Sequence, residues 1–195
     1  MSLQDKLERY TFDYGNAYKT RIALDMTILT KAKDEAEFDD CSWQDPFSYT
    51  NQESYFQSIC KDYGVDSIDS IDFKLTYTDI SKPLIPFLFD ENDKPKESLF
   101  ELGLLTAHAQ EVVNSYANCF DIDEDETLLE LLDKISEVYV GKYKSSADYA
   151  ETEVNNFAFG VKVPSSLKQY IDFEEMALDM EDNLYIDNEH YFRNY

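Results

Sequence analysis

The stretch DFEEMALDMEDN, residues 172–183, carries the clearest helical pattern of this chain. At about 100° per residue, one stripe is apolar: Phe173, Met176, Ala177, Met180 and Leu184. The opposite arc is acidic: Glu174, Glu175, Asp179, Glu181 and Asp182. Like charges one helical turn apart cost roughly 0.2–0.5 kcal/mol per pair, and no base lies between Lys168 and Arg193 to relieve them. We infer that this negative face is kept because it binds a partner.

Patterns elsewhere in the chain indicate an α+β protein that is mainly helical with short strands. Apolar spacing predicts helices over residues 50–63, 98–116, 127–138 and 145–157. Alternation predicts a strand over 73–80 and extended residues over 184–193, with a hairpin across Asp187 and Asn188. The helices near residues 50 and 98 each open on a capping box, a Ser or Thr followed three residues later by Glu. We expect an elongated fold of two to three small subdomains in tandem. An N-terminal region over 1–48 precedes a small α+β subdomain over 49–96, an acidic helical middle over 97–134 and a C-terminal subdomain over 135–195.

The composition excludes disorder and restricts the class of partner. Forty-one acidic residues against 17 basic ones give a formal net charge of −24, yet 43% of residues are hydrophobic and only 5 are Gly and 5 Pro. A core can therefore form. Nucleic acids and anionic membranes would be repelled, whereas a basic protein surface would be attracted. Three widely spaced cysteines, no signal-peptide pattern and no membrane-spanning apolar run predict a cytoplasmic protein with reduced thiols.

The negative charge is greatest in the middle of the chain. Residues 1–65, 66–130 and 131–195 carry net charges of −5, −12 and −7. Between Lys96 and Lys134 there are 10 acidic residues and no base. Duplex DNA carries one charge per about 1.7 Å of axis, so a net charge of −24 matches about 40 Å of duplex.

No sequence pattern indicates catalysis or a cofactor. The acidic runs that start at Asp90 and Asp121 resemble calcium loops, but both lack the glycine of position six, and the second also lacks the final glutamate. Neither His108 nor His190 has a Cys or another His at metal-binding spacing. We expect no enzymatic activity, no cofactor and no metal. From the residues alone, three interpretations stay open: acidic solubility without a further role, a metal-binding or chaperone role, and imitation of DNA.

The last 60 residues resemble the ArdA family of antirestriction proteins. The run ISEVYVGKYKSSADYA, residues 135–150, is similar to the family's aromatic–x–Gly–x–aromatic segment followed by Ser–x–x–aromatic–Ala. Residues 163–184, VPSSLKQYIDFEEMALDMEDNL, are similar to its Pro–x–x–Leu–x–x–Tyr run and the acidic segment that follows. The chain closes on Tyr191, Phe192 and Arg193, like the family's terminal aromatic–Phe–Arg. Residues from 51 onward agree with the family in outline, whereas the N-terminal region matches nothing in it.

The resemblance implies a DNA mimic without catalysis, made by mobile elements or phages and often dimeric. Such proteins occupy the DNA-binding groove of type I restriction–modification enzymes with surface carboxylates. We therefore expect a DNA-binding host defence protein as partner, and a homodimer. The alternatives are an acidic interaction module or chaperone for a basic protein, or an inhibitor of a different DNA-binding defence system. The expected contact carboxylates are Asp121, Asp123, Glu124, Asp125, Glu126, Glu130, Asp133, Asp148, Glu151, Asp172, Glu174, Glu175, Asp179, Asp182 and Asp187.

Overall fold

The computed structural model describes residues 24–35, 37–38, 45–156, 160 and 162–194, together with Lys6, Leu7 and Tyr10. The chain divides into two units, Met1–Ser136 and Glu137–Tyr195. The first unit has strands β1 (Met26–Ala32) and β2 (Ile71–Thr78) and helices α1 (Gln52–Tyr63), α2 (Ile85–Leu88), α3 (Glu97–Gly103) and α4 (Ala107–Cys119). Helix α5 (Leu128–Val138) begins in the first unit and extends past its last residue, Ser136. The second unit has β3 (Tyr139–Lys142), α6 (Ser146–Asn155), α7 (Ser165–Lys168), α8 (Phe173–Glu181), β4 (Leu184–Asp187) and β5 (His190–Arg193).

The α+β, mainly helical class predicted from the sequence is confirmed, since eight α-helices and two small antiparallel sheets form within the described residues. The strand predicted over 73–80 is present two residues earlier as β2. None of the helices in these residues combines the length and apolarity that crossing a membrane requires.

The sheet of the first unit is a two-stranded antiparallel pair of β1 and β2. Its register begins with Met26 opposite Thr78. Alternate residues of β1, including Met26, Ile28 and Thr30, are buried. The Tyr63 hydroxyl at the end of α1 donates to the Thr30 carbonyl oxygen at 2.6 Å and ties the helix to the sheet.

Helix α1 begins and ends at side chains that its sequence supplies. Asn51 is the N-cap, because its side-chain oxygen accepts from the Ser54 N–H at 2.8 Å. The cap therefore lies one residue after the predicted Thr50. Gly64 ends the helix with a φ of 64°, the left-handed conformation common at helix C-termini. The buried ring of Tyr55 packs 5.4 Å from that of Phe100, which joins α1 to α3.

The capping box predicted over 98–101 is wrong, because α3 begins two residues earlier than a helix capped by Ser98 would. Ser98 lies inside the first turn, and its hydroxyl donates to the Phe87 carbonyl oxygen at 2.6 Å instead of capping the helix. The N-cap position is taken by Lys96, which makes no side-chain capping bond. A residue that could cap a helix is here used to hold α2 against α3.

The single helix predicted over 98–116 is also wrong, because α3 and α4 are separate helices. Gly103 is the last residue of α3. A Cβ atom at this position would lie 2.6 Å from the Phe47 ring, so only glycine fits there. Thr106 then caps α4 by accepting from the Ala109 N–H at 3.2 Å. The apolar spacing continues across the break, since Leu102 and Leu105 are both buried. Hydrophobic period alone therefore could not reveal it.

The sheet of the second unit has the strand order β3–β5–β4, all antiparallel. β4 and β5 form the predicted hairpin, but its turn is Asn188–Glu189, one residue later than expected. Both residues have positive φ, 48° and 67°, as a two-residue turn of type I′ requires. Helix α8 packs against α6, and the predicted helices over 145–157 and 172–183 are confirmed as α6 and α8.

Candidate interaction surface

The fifteen predicted contact carboxylates are mostly at the surface. Thirteen are exposed: Asp121, Asp123, Glu124, Asp125, Glu130, Asp133, Asp148, Glu151, Asp172, Glu174, Glu175, Asp179 and Asp182. Glu126 and Asp187 are half-buried. The two units divide them, with the 121–133 group in the first and the rest in the second.

The acidic face of α8 is built as the sequence predicts. Asp172 caps the helix, because its Oδ1 atom accepts from the Glu174 and Glu175 N–H groups, each at 3.1 Å. Ala177 on the opposite side is 3% exposed. Among the described residues, no Lys, Arg or His nitrogen lies within 4.0 Å of any α8 carboxylate, since the ion pairs lie elsewhere. This face therefore presents uncompensated negative charge to solvent.

A reciprocal capping box fixes the N-terminus of α5. The Thr127 N–H donates to Glu130 Oε2 at 2.8 Å, and the Glu130 N–H donates to Thr127 Oγ1 at 3.3 Å. The hydrogen bonds from the Thr127 backbone and hydroxyl lower the pKa of the Glu130 carboxyl group below its usual value of 4.5. The signal for it in the sequence is the pattern Thr–x–x–Glu over 127–130, which is a third capping-box pattern beside those at 50 and 98.

Glu126 is a predicted contact carboxylate that the fold pairs with a cation and largely encloses. Its Oε2 atom accepts from the Lys134 ammonium group, and its side chain is only 7% exposed. The hydrogen bond to Glu126 raises the pKa of Lys134. An amphipathic pattern cannot show this, because Glu126 precedes the helix and its burial depends on how the 121–127 segment folds back.

Two further acidic residues of the predicted set have structural contacts. Asp133 on α5 accepts a hydrogen bond from the Tyr10 hydroxyl, which ties the N-terminal region to α5 within the first unit. The Asp148 N–H donates to the Ser145 hydroxyl, the N-cap of α6, at 3.1 Å. The carboxylate of Asp148 stays exposed, like that of Glu151 one turn later.

The residues that carry the family resemblance form the aromatic core of the second unit. The rings of Tyr143, Tyr149 and Tyr191 lie 5.1–5.4 Å apart. The rings of Tyr139 and Phe192 are 5.4 Å apart. Burial, and to a lesser extent the nearby Glu153 carboxylate, raises the pKa of both Tyr143 and Tyr149. The aromatic residues of the family pattern therefore serve to pack the second unit, whereas the acidic residues form its charged surface.

Gly141 explains the glycine in the aromatic–x–Gly–x–aromatic segment. Its φ is 152°, and it lies where the register between β3 and β5 shifts. A Cβ atom there would come within 3.0–3.2 Å of the Tyr143 ring and hydroxyl. Glycine at this position therefore accommodates both the shift in register and the close approach of the Tyr143 side chain.

The 90–94 turn, one of the two calcium-loop candidates, is held by its own backbone. Asp90 Oδ1 accepts from the Asn92 N–H at 2.8 Å and from the Lys94 N–H at 3.0 Å. Asp93 Oδ2 accepts from the Leu75 N–H of β2 at 3.1 Å. These carboxylates therefore connect the turn to the sheet.

Comparison with known proteins gives one match. The family model described as "Antirestriction protein (ArdA)" matches residues 93–193, just over half of the chain. No curated protein and no solved structure matches the chain. The matched range covers α3 to β5 and includes the whole predicted set of contact carboxylates. The region before residue 93, with β1, β2 and α1, lies outside it.

Proposed function

The chain belongs to the ArdA family of antirestriction proteins, and from this premise we propose that it is a DNA mimic. In this proposal the chain occupies the DNA-binding groove of a type I restriction–modification enzyme with its surface carboxylates. Lys and Arg side chains that normally bind phosphates then bind Asp and Glu, and incoming DNA escapes cleavage. No catalytic step by this chain is required.

The observation that carries the proposal is the uncompensated face of α8. Glu175, Asp179 and Asp182 are exposed on one side of a helix whose other side is packed. Carboxylates four residues apart are separated by about 6 Å along a helix axis. A solvated helix that served only solubility would gain from interspersed lysines. Their absence favours a surface that is completed by a partner's positive charges.

The region around α5 supports the same proposal. Asp121, Asp123, Glu124 and Asp125 are exposed in the segment that leads into the helix. Each exposed ion pair with a partner contributes only about 0.2–1 kcal/mol, so affinity rests on many contacts. Electrostatic attraction between a chain of net charge −24 and a basic groove would also accelerate association.

A homodimer is part of the proposal. Five large apolar side chains of the second unit are exposed: Leu167, Tyr170, Leu178, Tyr185 and Ile186. Exposed apolar side chains that form a contiguous patch are typical of protein interfaces, and we infer that these five contribute to such a patch. Sedimentation equilibrium of the whole chain decides between monomer and dimer.

The experiment that tests the proposal is inhibition of a purified type I restriction–modification enzyme. Cleavage of an unmodified DNA substrate should fall as the chain is added, and raising the duplex concentration should restore it. Inhibition that persists at saturating duplex would refute occupation of the DNA groove. It would favour the alternative of an acidic module that binds a basic surface elsewhere. Inhibition of another DNA-binding defence enzyme, with the type I enzyme unaffected, would identify a different target.

A further inference from the structure

A cleft of about 350 Å³ lies beside the N-terminus of α5. It is lined by Asp123, Asp125, Glu126, Glu130 and Lys134. Lys134 is the only base between Lys96 and Lys142. The lining thus holds four carboxylates and one ammonium group, which leaves an excess of three negative charges.

The Lys134 ammonium group contacts one carboxylate of the cleft directly and interacts electrostatically with two more. Glu126 accepts its hydrogen bond, and Asp123 contributes further to the raised pKa of Lys134. Lys134 in turn contributes, after the bonds from Thr127, to the lowered pKa of Glu130. The position of the ammonium group therefore marks where the cleft holds a cation.

A buried oxygen of Glu126 points to a second donor. The Glu126 side chain is 7% exposed, and its Oε2 atom binds Lys134. Its Oε1 atom is buried and has no hydrogen-bond partner among the described residues. A buried carboxylate oxygen without a hydrogen bond destabilises the fold. A donor that arrives from outside the chain would remove this cost.

The geometry favours an organic cation over a metal ion. In this cleft, whose lining residues are all described, no three carboxylates bring ligand oxygens within 4.8 Å of one another. Ca²⁺ and Mg²⁺ need six or more oxygen ligands close together. A guanidinium group instead offers five N–H donors in a plane and binds carboxylates with two parallel hydrogen bonds. It can bridge carboxylates that are too far apart to share a metal ion.

We propose that this cleft receives one arginine guanidinium group of the partner protein, and that Lys134 holds the cleft until the partner arrives. The arginine would donate to Glu126 and to the exposed carboxylates of Asp123 and Asp125. Lys134 then acts as an internal competitor, so it lowers affinity for the partner although it stabilises the free chain. The identity of the partner rests on the proposed function, whereas the affinity of the cleft for guanidinium does not.

The test is an NMR titration of the ¹⁵N-labelled full chain with methylguanidinium chloride at low salt. Two amides report on the cleft: the Asp125 N–H donates to Asp123 Oδ1 at 3.0 Å, and the Thr127 N–H donates to Glu130 Oε2 at 2.8 Å. The Glu174 and Glu175 amides, which donate to Asp172, are matched reporters on another acidic cluster. We expect the cleft amides to saturate at an about threefold lower concentration, the ratio that one exposed ion pair supplies.

Variants separate the cleft from general negative charge. Asp123→Asn with Asp125→Asn should weaken methylguanidinium binding at the Thr127 amide about threefold or more. The control Asp34→Asn with Asp66→Asn removes the same charge from exposed sites elsewhere and should leave it unchanged. Lys134→Gln should strengthen binding about threefold, whereas Lys61→Gln on α1 should not. Should Lys134→Gln unfold, which circular dichroism would show, the Asp123 and Asp125 pair still decides the question.

Three results would overturn the proposal. The cleft and Asp172 amides could respond at the same concentration, which would indicate only a diffuse ion atmosphere. Ca²⁺ or Mg²⁺ could shift the cleft amides at lower concentration than methylguanidinium, which would indicate a metal site. Lys134→Gln could fold and bind no more tightly than Lys61→Gln, which would leave Lys134 a purely structural residue. A cleft that binds guanidinium in a chain that inhibits no restriction enzyme would refute the proposed function alone.

Discussion

Gly141 shows how a single residue of the family pattern acts through the fold. The backbone at this position has a φ of 152°, which residues with a side chain rarely adopt. A Cβ atom there would also contact the Tyr143 ring. We predict that Gly141→Ala lowers the free energy of unfolding by about 2–3 kcal/mol, as expected for backbone strain combined with displacement of the half-buried Tyr143 ring.

The matched control for this prediction is Gly64→Ala. Gly64 has a φ of 64°, but no atom lies within 4 Å of the position that a Cβ atom would take, so alanine there is strained without a clash. Its cost should be about 1–2 kcal/mol. Guanidinium denaturation followed by circular dichroism measures both. Equal costs for the two variants would show that the Tyr143 contact contributes nothing.

Glu130 is the residue whose protonation should be felt in the stability of the first unit. The hydrogen bonds from Thr127 lower its pKa in the folded chain below 4.5. Its contribution is therefore present above the unfolded pKa and is lost as the pH falls through the lower, folded pKa. We predict that the wild type loses more stability than Glu130→Gln as the pH falls through this window.

Urea denaturation across the acidic pH range measures the effect on Glu130. Glu124→Gln, an exposed acid just before α5, is the control for a general change of charge. Parallel pH curves for the wild type and Glu130→Gln would show that the capping bonds do not couple to protonation. Thr127→Ala should cost about 1 kcal/mol at neutral pH, because it removes the other half of the capping box.

At the scale of elements, α8 carries the most direct test of the binding surface. We predict that replacing Glu175, Asp179 and Asp182 together by Gln, Asn and Asn weakens inhibition of the target about tenfold. Three exposed ion pairs of roughly 0.5 kcal/mol each would supply this loss. Each single change should have an effect of about twofold or less. Inhibition is measured by cleavage of DNA at several salt concentrations.

The control for α8 removes three negative charges from exposed sites of the first unit: Asp34→Asn, Glu53→Gln and Asp66→Asn. If this control weakens inhibition as much as the α8 variant does, only the net charge matters. If the α8 variant inhibits as well as the wild type at every salt concentration, the face does not contact the target.

The elements that the sequence predicts well are those whose local signals agree. α1 has a cap, an apolar face and a terminal glycine, and α8 has a cap and a clear apolar stripe, so both lie close to their predicted bounds. The break between α3 and α4 could not be predicted in this way. It depends on the Phe47 ring, which is distant in sequence and fills the space beside Gly103.

The candidate site shows the same division between local and distant causes. Exposure of the α8 carboxylates follows from helical periodicity, which is a local property. The burial of Glu126 and its pairing with Lys134 depend on the conformation of a loop, which the periodicity of the sequence does not predict. Sequence therefore predicts which carboxylates can be surface charges, whereas the fold decides which of them are already neutralised by the chain itself.

At the scale of the whole molecule, the excess of acidic residues extends beyond the part of the chain that the family model matches. The family match begins at residue 93, but the region before it also carries an excess of acidic residues. Each unit is negative: residues 1–136 hold 29 acidic and 12 basic residues, and residues 137–195 hold 12 and 5. The affinity of such a mimic for its target should depend on salt concentration, but less steeply than the affinity of DNA does.

The salt dependence of binding is the whole-molecule prediction. Duplex DNA condenses counterions because its charges lie about 1.7 Å apart along the axis, and their release gives a slope of about −0.9 per phosphate contact in a plot of log affinity against log salt. Carboxylates on one helix face are about 6 Å apart, so far fewer counterions are condensed and released.

We predict that affinity for the target falls with salt, but with a shallower slope than duplex DNA shows on the same enzyme. The chain should then displace DNA more effectively at about 200 mM salt than at about 50 mM. Fluorescence anisotropy with labelled duplex and labelled chain gives both slopes. A slope of zero would exclude electrostatic mimicry, and a slope as steep as that of DNA would show that the carboxylates lie as densely as phosphates.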